Sequence, residues 1–417
     1  MKIWNTTIGE PLPIDDTVDR LHRSGLLNEI LVYSGHEVKW WSSSFNHFSK
    51  KYYRNERATL KVFENYTLEL LHGRQYTKNI SFSRILNHIQ IGKQFNLEAY
   101  KAEKPDLIIT SFPSIELAYY SVKYAMKKNI PVVVDARDMW PDIFTSVLPN
   151  FLNPLVKLLL FKYFQMTHFV FSNASSIIGI TDGFVNWGLS HGGKKRSNLD
   201  KPFYLGYPEL ESENKNKTTS WKKFESLNLK QDDFILAYIG AITKNKINLE
   251  PILRAAEHFK NNSKVKFVIA GDGDERENFI KTSNKLGLKN LVFPGWLNKF
   301  EIKNLLMNSD FGLVPLRNRF DYKLAIPNKP IEYIANQLPI LSGLEGELSS
   351  LIKNNNIGFT YKTDKDIIEK INDTLLNQNK LDKMSKNCRE LYLKKFDSKL
   401  VYTNLANYLI EVKNILG

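Results

Sequence analysis

A single cysteine, Cys388, stands in 417 residues. One thiol excludes an internal disulfide framework and any cysteine-cluster metal site, and it suits a reducing compartment. Long uncharged apolar runs are missing as well. The start, Met1-Lys2-Ile3-Trp4, turns polar at Asn5-Thr6-Thr7 and lacks the apolar core of a signal peptide. No run approaches the ~20 residues of a membrane span. The greasiest stretch, 152–171, carries Lys157, Lys162 and His168 and is expected to form a buried or interfacial helix. Acidic residues fall short of basic ones, 44 against 58, leaving a formal net charge of +14 spread over both halves. Such a balance suits nucleic acid, anionic lipid or phosphorylated substrates, or else is the solvated surface of a lysine-rich chain. No helix-turn-helix, zinc module or RNA-binding signature is visible, so nucleic acid is not expected as a partner.

What the chain does have is core. Hydrophobic residues make up 42 % and aromatics 12 %, enough for two buried interiors and too much for disorder. Short apolar runs alternate with helical patterns, the signature of parallel sheets with crossover helices. The spacing predicts strands over 1–4, 37–42, 107–110, 132–135 and 176–179, with helices over 19–34 and 115–128. Periodicity fades between Asn198 and Trp221. A second series follows: strands over 234–240, 265–271, 291–294 and 311–315, with helices over 250–260, 276–286 and 299–308. The expected organisation is an α/β fold of two Rossmann-like, doubly wound domains, 1–200 and 223–397, joined by 201–222. A final helix, 398–417, either closes the second domain or crosses back to brace the first.

Three strands of the later half end in glycine: Gly240, Gly271 and Gly295. Glycine at a carboxyl strand end admits a ligand to the backbone, and the helix start beyond it favours phosphate oxygens. Lys244 and Lys246 follow Gly240. For Gly271-Asp272-Gly273 a purely structural turn is the simpler reading. The strongest local signal is Ala325-Ile326-Pro327-Asn328-Lys329-Pro330-Ile331-Glu332. Asn328 is expected to cap a helix with Lys329 at its anion-favouring start, and Glu332 to offer a carboxylate to a pair of hydroxyls such as a ribose diol. The alternative is an ordinary capped helix. In the first half, Lys39, Lys50, Lys51, Arg54, Arg57 and Lys61 interleave with Trp40, Trp41, Phe45, Phe48, Tyr52 and Tyr53. That mixture is read as a patch for an anionic bilayer surface, with single-stranded nucleic acid as the competing reading.

In order and spacing, residues 240–339 resemble the donor-binding domain of glycosyltransferase family four, retaining enzymes of the GT-B fold. The matching pieces are Gly240 with Lys246, Gly271-Asp272-Gly273, Phe293-Pro294-Gly295-Trp296, Asp310-Phe311-Gly312-Leu313-Val314-Pro315-Leu316, and Glu332-Tyr333-Ile334-Ala335-Asn336-Gln337-Leu338-Pro339-Ile340. Earlier, Gly35-His36-Glu37-Val38 is similar to the helix-to-strand turn of the acceptor domain. Asp135-Ala136-Arg137-Asp138-Met139-Trp140-Pro141-Asp142 resembles a segment of bacterial O-antigen and capsule enzymes of the L-fucosamine transferase type, as does Ser43-Ser44-Phe45-Asn46-His47-Phe48. Three departures stand out. Leu324 takes the place of the first of two glutamates separated by seven intervening residues, Ala241 that of an arginine, and Arg137-Asp138 that of His-Asp.

The resemblance implies two domains facing a central cleft and metal-independent transfer of a sugar, with retention, from a UDP-sugar to a polyprenyl-diphosphate-linked saccharide at the inner membrane surface. It implies no cofactor. Lys246 and Lys329 are then expected at the leaving diphosphate, assisted by amides near Asn328. Glu332 is assigned to the ribose, and Gly240, Gly271 and Gly295 line the donor. Gly9-Glu10-Pro11-Leu12-Pro13 is expected to form an acceptor loop, with Arg20 and Arg23 meeting an acceptor diphosphate or else lying on a solvated helix face. Asp138 and Arg137 are expected to act on the acceptor hydroxyl, Asp138 alternatively capping a helix. A sugar-nucleotide epimerase on the same fold would need paired acid/base residues round one sugar, and no such constellation stands out.

Overall fold

Runs too apolar to alternate become strands covered on both faces. Leu107–Phe112, Val132–Ala136 and Phe234–Ile239 are buried at every position, and each is a central strand. The computed structural model describes residues 1–15, 20–79, 81–147, 151, 153–209 and 221–417. They form two units: Met1–Leu205 with Ser398–Gly417, and Gly206–Asp397.

The first unit carries β1 (Lys2–Thr6), β2 (Glu37–Ser43), β3 (Ala58–Phe63), β4 (Tyr66–Leu71), β5 (Leu107–Phe112), β6 (Val132–Ala136), β7 (Ser176–Gly179) and β8 (Lys201–Pro202). Their spatial order is β3-β4-β2-β1-β5-β6-β7-β8. All pair in parallel except β3, which runs antiparallel to β4. The second unit carries β9 (Phe234–Ile239), β10 (Val265–Ala270), β11 (Leu291–Gly295), β12 (Phe311–Val314), β13 (Ile340–Ser342) and β14 (Gly358–Thr360). Their order, β11-β10-β9-β12-β13-β14, is fully parallel. Numbered within the unit this reads 3-2-1-4-5-6, the doubly wound arrangement whose winding reverses between β9 and β12. In the first unit the reversal falls between β1 and β5.

Helix boundaries follow side-chain caps. Ser81 accepts from Arg84 N ahead of Phe82–Glu98, and Thr181 accepts from Phe184 N ahead of Asp182–Gly192. Asn298 with Glu301 closes a capping box before Lys299–Met307. The helix expected from residue 19 begins at Arg23 and runs to Tyr33; residue 19 lies outside the described residues. The helix Ser398–Leu416 packs in the first unit, its Val401, Leu405, Leu409 and Val412 buried with Leu27 and Leu31.

The hairpin β3–β4 had no forecast. The edge strand β3 alternates half-buried and exposed positions, a pattern its mixed composition hides. Residues 201 and 202, expected in a linker, pair with β7, and 210–220 lie outside the described residues. The basic-aromatic patch is corrected in part: Phe48, Lys51 and Arg54 are exposed, but its tryptophans are not. Trp40 and Trp41 are 0 % and 1 % exposed and Phe45 is buried, because β2 lies between β4 and β1 with both faces covered. Lys39 and Arg57 there pair with Glu69.

Candidate functional site

In the second unit the loops beyond β9, β10 and β11 continue the sheet sideways. Gly240 N donates to Ala270 O (3.0 Å), Ile242 N to Asp272 O (2.9 Å) and Gly271 N to Gly295 O (2.8 Å). A Cβ on Gly271 would sit 1.9 Å from Gly240 O, and one on Gly273 2.3 Å from Ile242 O. These two glycines are therefore demanded by backbone-to-backbone packing. Gly295, at φ +78°, has only the Arg276 guanidinium near its missing side chain, at 3.7 Å, so its surroundings leave room for a ligand edge.

The loop after β9 also crosses to the far side of the reversal point. Asn248 N donates to Pro315 O (2.7 Å) and Arg317 N to Lys246 O (2.9 Å), while Arg317 Nε donates to Lys244 O (2.9 Å). Lys244, Lys246 and Arg317 are thus exposed neighbours just beyond the carboxyl ends of β9 and β12. None has an ion-pair partner among the described residues. Arg317 was not foreseen; the only signal for it was its place two residues past Pro315.

The helix Asn328–Ala335 is fixed beneath these strands by Tyr333. Its hydroxyl accepts from Ile239 N (3.2 Å) and donates to Leu313 O (3.3 Å), and its ring lies where a Cβ on Gly312 would come within 2.4 Å. The adjacent Glu332 is 9 % exposed. Its Oε1 accepts from the Tyr207 hydroxyl (3.0 Å) and its Oε2 from Lys329 Nζ (2.8 Å). Tyr207 was missed because it lies 125 residues away in sequence. Two expectations change here. Asn328 is the first helical residue, with Pro327 at the cap and no side-chain cap bond. Lys329 Nζ is paired with the Glu332 carboxylate instead of standing free at the helix start.

In the first unit Arg23 is corrected outright. It is 3 % exposed, its Nε and Nη2 bond Asp135 (2.7 and 3.1 Å), and its Nη1 donates to Phe203 O (2.8 Å) and Tyr204 O (3.0 Å). Four of its five N–H groups are so used, and its burial leaves it no exposed face for an acceptor. Arg137 Nε bonds the same Asp135 (2.7 Å), Nη1 bonds Glu10 and Nη2 bonds Ser24 Oγ (3.1 Å). Gly9, at φ +80°, turns the chain so that Glu10 accepts from Ser24 N (2.9 Å), a carboxylate at the start of Arg23–Tyr33. The loop 9–11 and Arg137 are therefore parts of a buried charge network. Burial alone would push the Asp135 carboxyl up, but the Arg137 and Arg23 guanidinium groups hold it below the ordinary range. Arg20 is near enough to His22 to help lower that imidazole, which burial depresses first.

The carboxyl ends of β2, β4 and β6 bring together a second group. His47 Nδ1 and the Tyr76 hydroxyl are 2.7 Å apart. Lys50 Nζ sits 4.8 Å over the Tyr76 ring and bonds Asn79 Oδ1 (2.6 Å). Arg84 lies 4.9 Å over Trp140, donates from Nη1 to Asn79 O (2.6 Å), and buries an Nε with no hydrogen-bond partner. Asp138, whose Oδ1 accepts from Met139 N (2.8 Å), is close enough to act on Arg84. Neither Lys50 nor Arg84 has an ion-pair partner among the described residues. Burial first, then the Arg84 charge, lowers Lys50; burial, then Lys50 and Arg84, drives His47 to about 4. His88, stacked on Trp140, falls to about 3 through burial, Arg84 and His47. Glu116 faces it at 4.0 Å and is raised by its own burial.

Depressed histidines make the fold acid-sensitive. The unfolded chain binds their protons near pH 6.5 while the folded chain refuses them, so stability falls as pH drops from 6.5 towards 4. The buried His88 contributes up to about 1.4 kcal/mol per pH unit, which the raised Glu116 partly offsets. A His88→Asn variant should lose less melting temperature than the parent between pH 6.5 and 4. Parallel melting curves in pH would remove His88 from this account.

Among the described residues no three His, Cys, Asp or Glu side chains converge as metal ligands. Residues 219–391 match the family model described as glycosyl transferases group 1. A stretch of 91 residues is 29 % identical to an uncharacterized glycosyltransferase of Methanocaldococcus jannaschii, covering 22 % of this chain and 23 % of that protein, less than a quarter of its length. Whole-chain likeness extends to the crystal structure of Anabaena HepE in complex with UDP, with a TM-score of 0.67 at 14 % identity over 98 % of this chain and 99 % of that one. Sucrose-phosphate synthase from Thermosynechococcus elongatus gives 0.69 at 14 % identity over 99 % and 98 %. WaaG, a glycosyltransferase involved in lipopolysaccharide biosynthesis, gives 0.61 at 13 % identity over 98 % and 99 %. The fold is GT-B.

Proposed function

We propose that this GT-B chain, with its glycosyl transferases group 1 segment at 219–391, transfers a sugar, an N-acetylated amino sugar, from a UDP-sugar to a polyprenyl-diphosphate-linked saccharide in cell-surface polysaccharide assembly. The observation that carries this reading is the β9/β12 reversal point, where Lys244, Lys246 and Arg317 gather without ion-pair partners among the described residues. They lie beyond the strands under which Tyr333 fixes the helix that carries the Glu332 carboxylate, itself held by Tyr207 and Lys329. A diphosphate needs cations there, since the bond from anomeric carbon to phosphate oxygen breaks with charge developing on the leaving group. A ribose diol needs an acceptor pair, which Glu332 supplies. HepE, of the same fold, binds UDP-glucose, which favours uridine as the base.

Lys246 stays assigned to the diphosphate, joined by Lys244 and Arg317; Lys329 joins them only by leaving Glu332. Gly295 borders the base. In the first unit the acceptor phosphates go to Lys50 and Arg84 in place of Arg23, beside Arg20, and Asp138 orients the acceptor hydroxyl. Transfer with retention and without metal or cofactor completes the reading, together with residence at the inner face of the membrane.

A thermal-shift panel tests the donor. A ligand at a hundredfold its dissociation constant stabilises by about 2.7 kcal/mol, so UDP and a UDP-amino sugar should raise the melting temperature by several degrees. GDP- and dTDP-sugars should fall well short. Equal shifts from all three nucleotides, or none from UDP, would discard the uridine assignment and with it the proposed donor site.

A further inference from the structure

The helix Asn153–Leu159 buries no residue of its own. Phe151, Leu155, Leu158, Leu159 and Phe161 are 79 %, 54 %, 72 %, 74 % and 57 % exposed. Five large apolar side chains within eleven positions are far more than scattered surface leucines. The helix that follows is anchored in the first unit. This helix, Phe161–Ser172, buries Met166, Thr167, Val170 and Phe171. The Phe171 ring meets Phe112 at 4.9 Å and Trp187 at 5.3 Å, and the Tyr163 hydroxyl donates to Glu116 (3.0 Å). So short a helix with no packed face does not stand by its own propensity.

We propose that this ridge is the surface by which the chain docks on an anionic lipid bilayer. Charge selects that occupant. Residues 151–172 contain no aspartate or glutamate, and Lys157 and Lys162 are exposed among the leucines and phenylalanines. A second copy placed face to face would oppose lysine to lysine with no acid to pair them. An anionic bilayer supplies an apolar layer for the leucines and phenylalanines and negative headgroups for the lysines. No helix among the described residues is long and apolar enough to cross a membrane, so the ridge lies in the interface. This surface serves the membrane-acceptor reading given above but rests on separate residues from the donor site.

Flotation of the full chain with phosphatidylcholine vesicles, with and without phosphatidylglycerol, tests it. The parent chain should float with the anionic vesicles. The Leu158→Ser/Leu159→Ser variant should lose binding roughly tenfold or more, and Lys157→Gln/Lys162→Gln should bind anionic vesicles no better than neutral ones. Melting curves and the UDP-induced shift of both variants should match the parent, which separates failure of docking from failure of the donor site. A parent that stays with the soluble fraction, a serine variant that floats undiminished, or a parent dimer that the serine substitutions dissociate would overturn the proposal.

Discussion

Replacing Asp135 by alanine should lower the melting temperature by roughly 6–20 °C. The carboxylate is 0 % exposed and sits between the Arg23 and Arg137 guanidinium groups. Breaking a buried pair by removing one partner costs about 3–5 kcal/mol, because the charge left behind is uncompensated. In a unit of this size each kcal/mol moves the midpoint by about 2–4 °C. Arg137 would keep Glu10, but Arg23 would keep only the carbonyl oxygens of Phe203 and Tyr204. The Asp135 carboxyl is held below its ordinary range, so its contribution is present above about pH 4 and fades only below that. The loss should therefore be the same at pH 6 and pH 8. Differential scanning calorimetry at both values decides it; a shift of a degree or two would mean the network is balanced by its own desolvation.

Glu332→Gln should have the opposite profile, leaving the fold in place and removing donor affinity. Lys329, the partner that loses its charge complement, is 41 % exposed and can turn to water, and Tyr207 can still donate to the amide oxygen. Stability should change by only about 1 kcal/mol. A charged hydrogen bond to a ribose diol contributes about 1.5–3 kcal/mol, so UDP affinity should fall on the order of 10- to 150-fold. Titration calorimetry with UDP reads this directly. Parent-like affinity in the variant would take Glu332 out of the donor site. Tyr207→Phe separates the two roles of the carboxylate, since it removes only the hydroxyl bonded to Oε1.

The predominantly apolar strands β5, β6, β9 and β10 were legible because burial on both faces leaves little polar to confuse the pattern. The hairpin β3–β4 was illegible for the converse reason. An edge strand buried on one face mixes Thr59, Lys61 and Phe63 with its apolar positions, and no turn motif announces Glu64-Asn65. Lys246, Gly295 and Glu332 were found as candidates because each sits at a strand end or helix start, where local chemistry is visible in one dimension. Arg317, Tyr207 and Arg84 were not, and Lys50 only as one cation of the basic-aromatic patch, since what singles them out is a neighbour tens of residues away.

Burial decided the two clearest misreadings. Arg23 and the pair Trp40-Trp41 have the composition of a phosphate site and a membrane patch, yet one is locked on Asp135 and the other fills the first core. By itself the sequence determined the α/β class, the order of most strands and helices, and the glycine and lysine chemistry at the strand ends of the second unit. Those are properties of short segments, set by periodicity and by backbone conformations that only some residues reach. The tertiary structure alone decided which charges were free to meet a ligand. An arginine's availability depends on whether a distant carboxylate has already claimed it, and that pairing is fixed only when the sheet brings the two together.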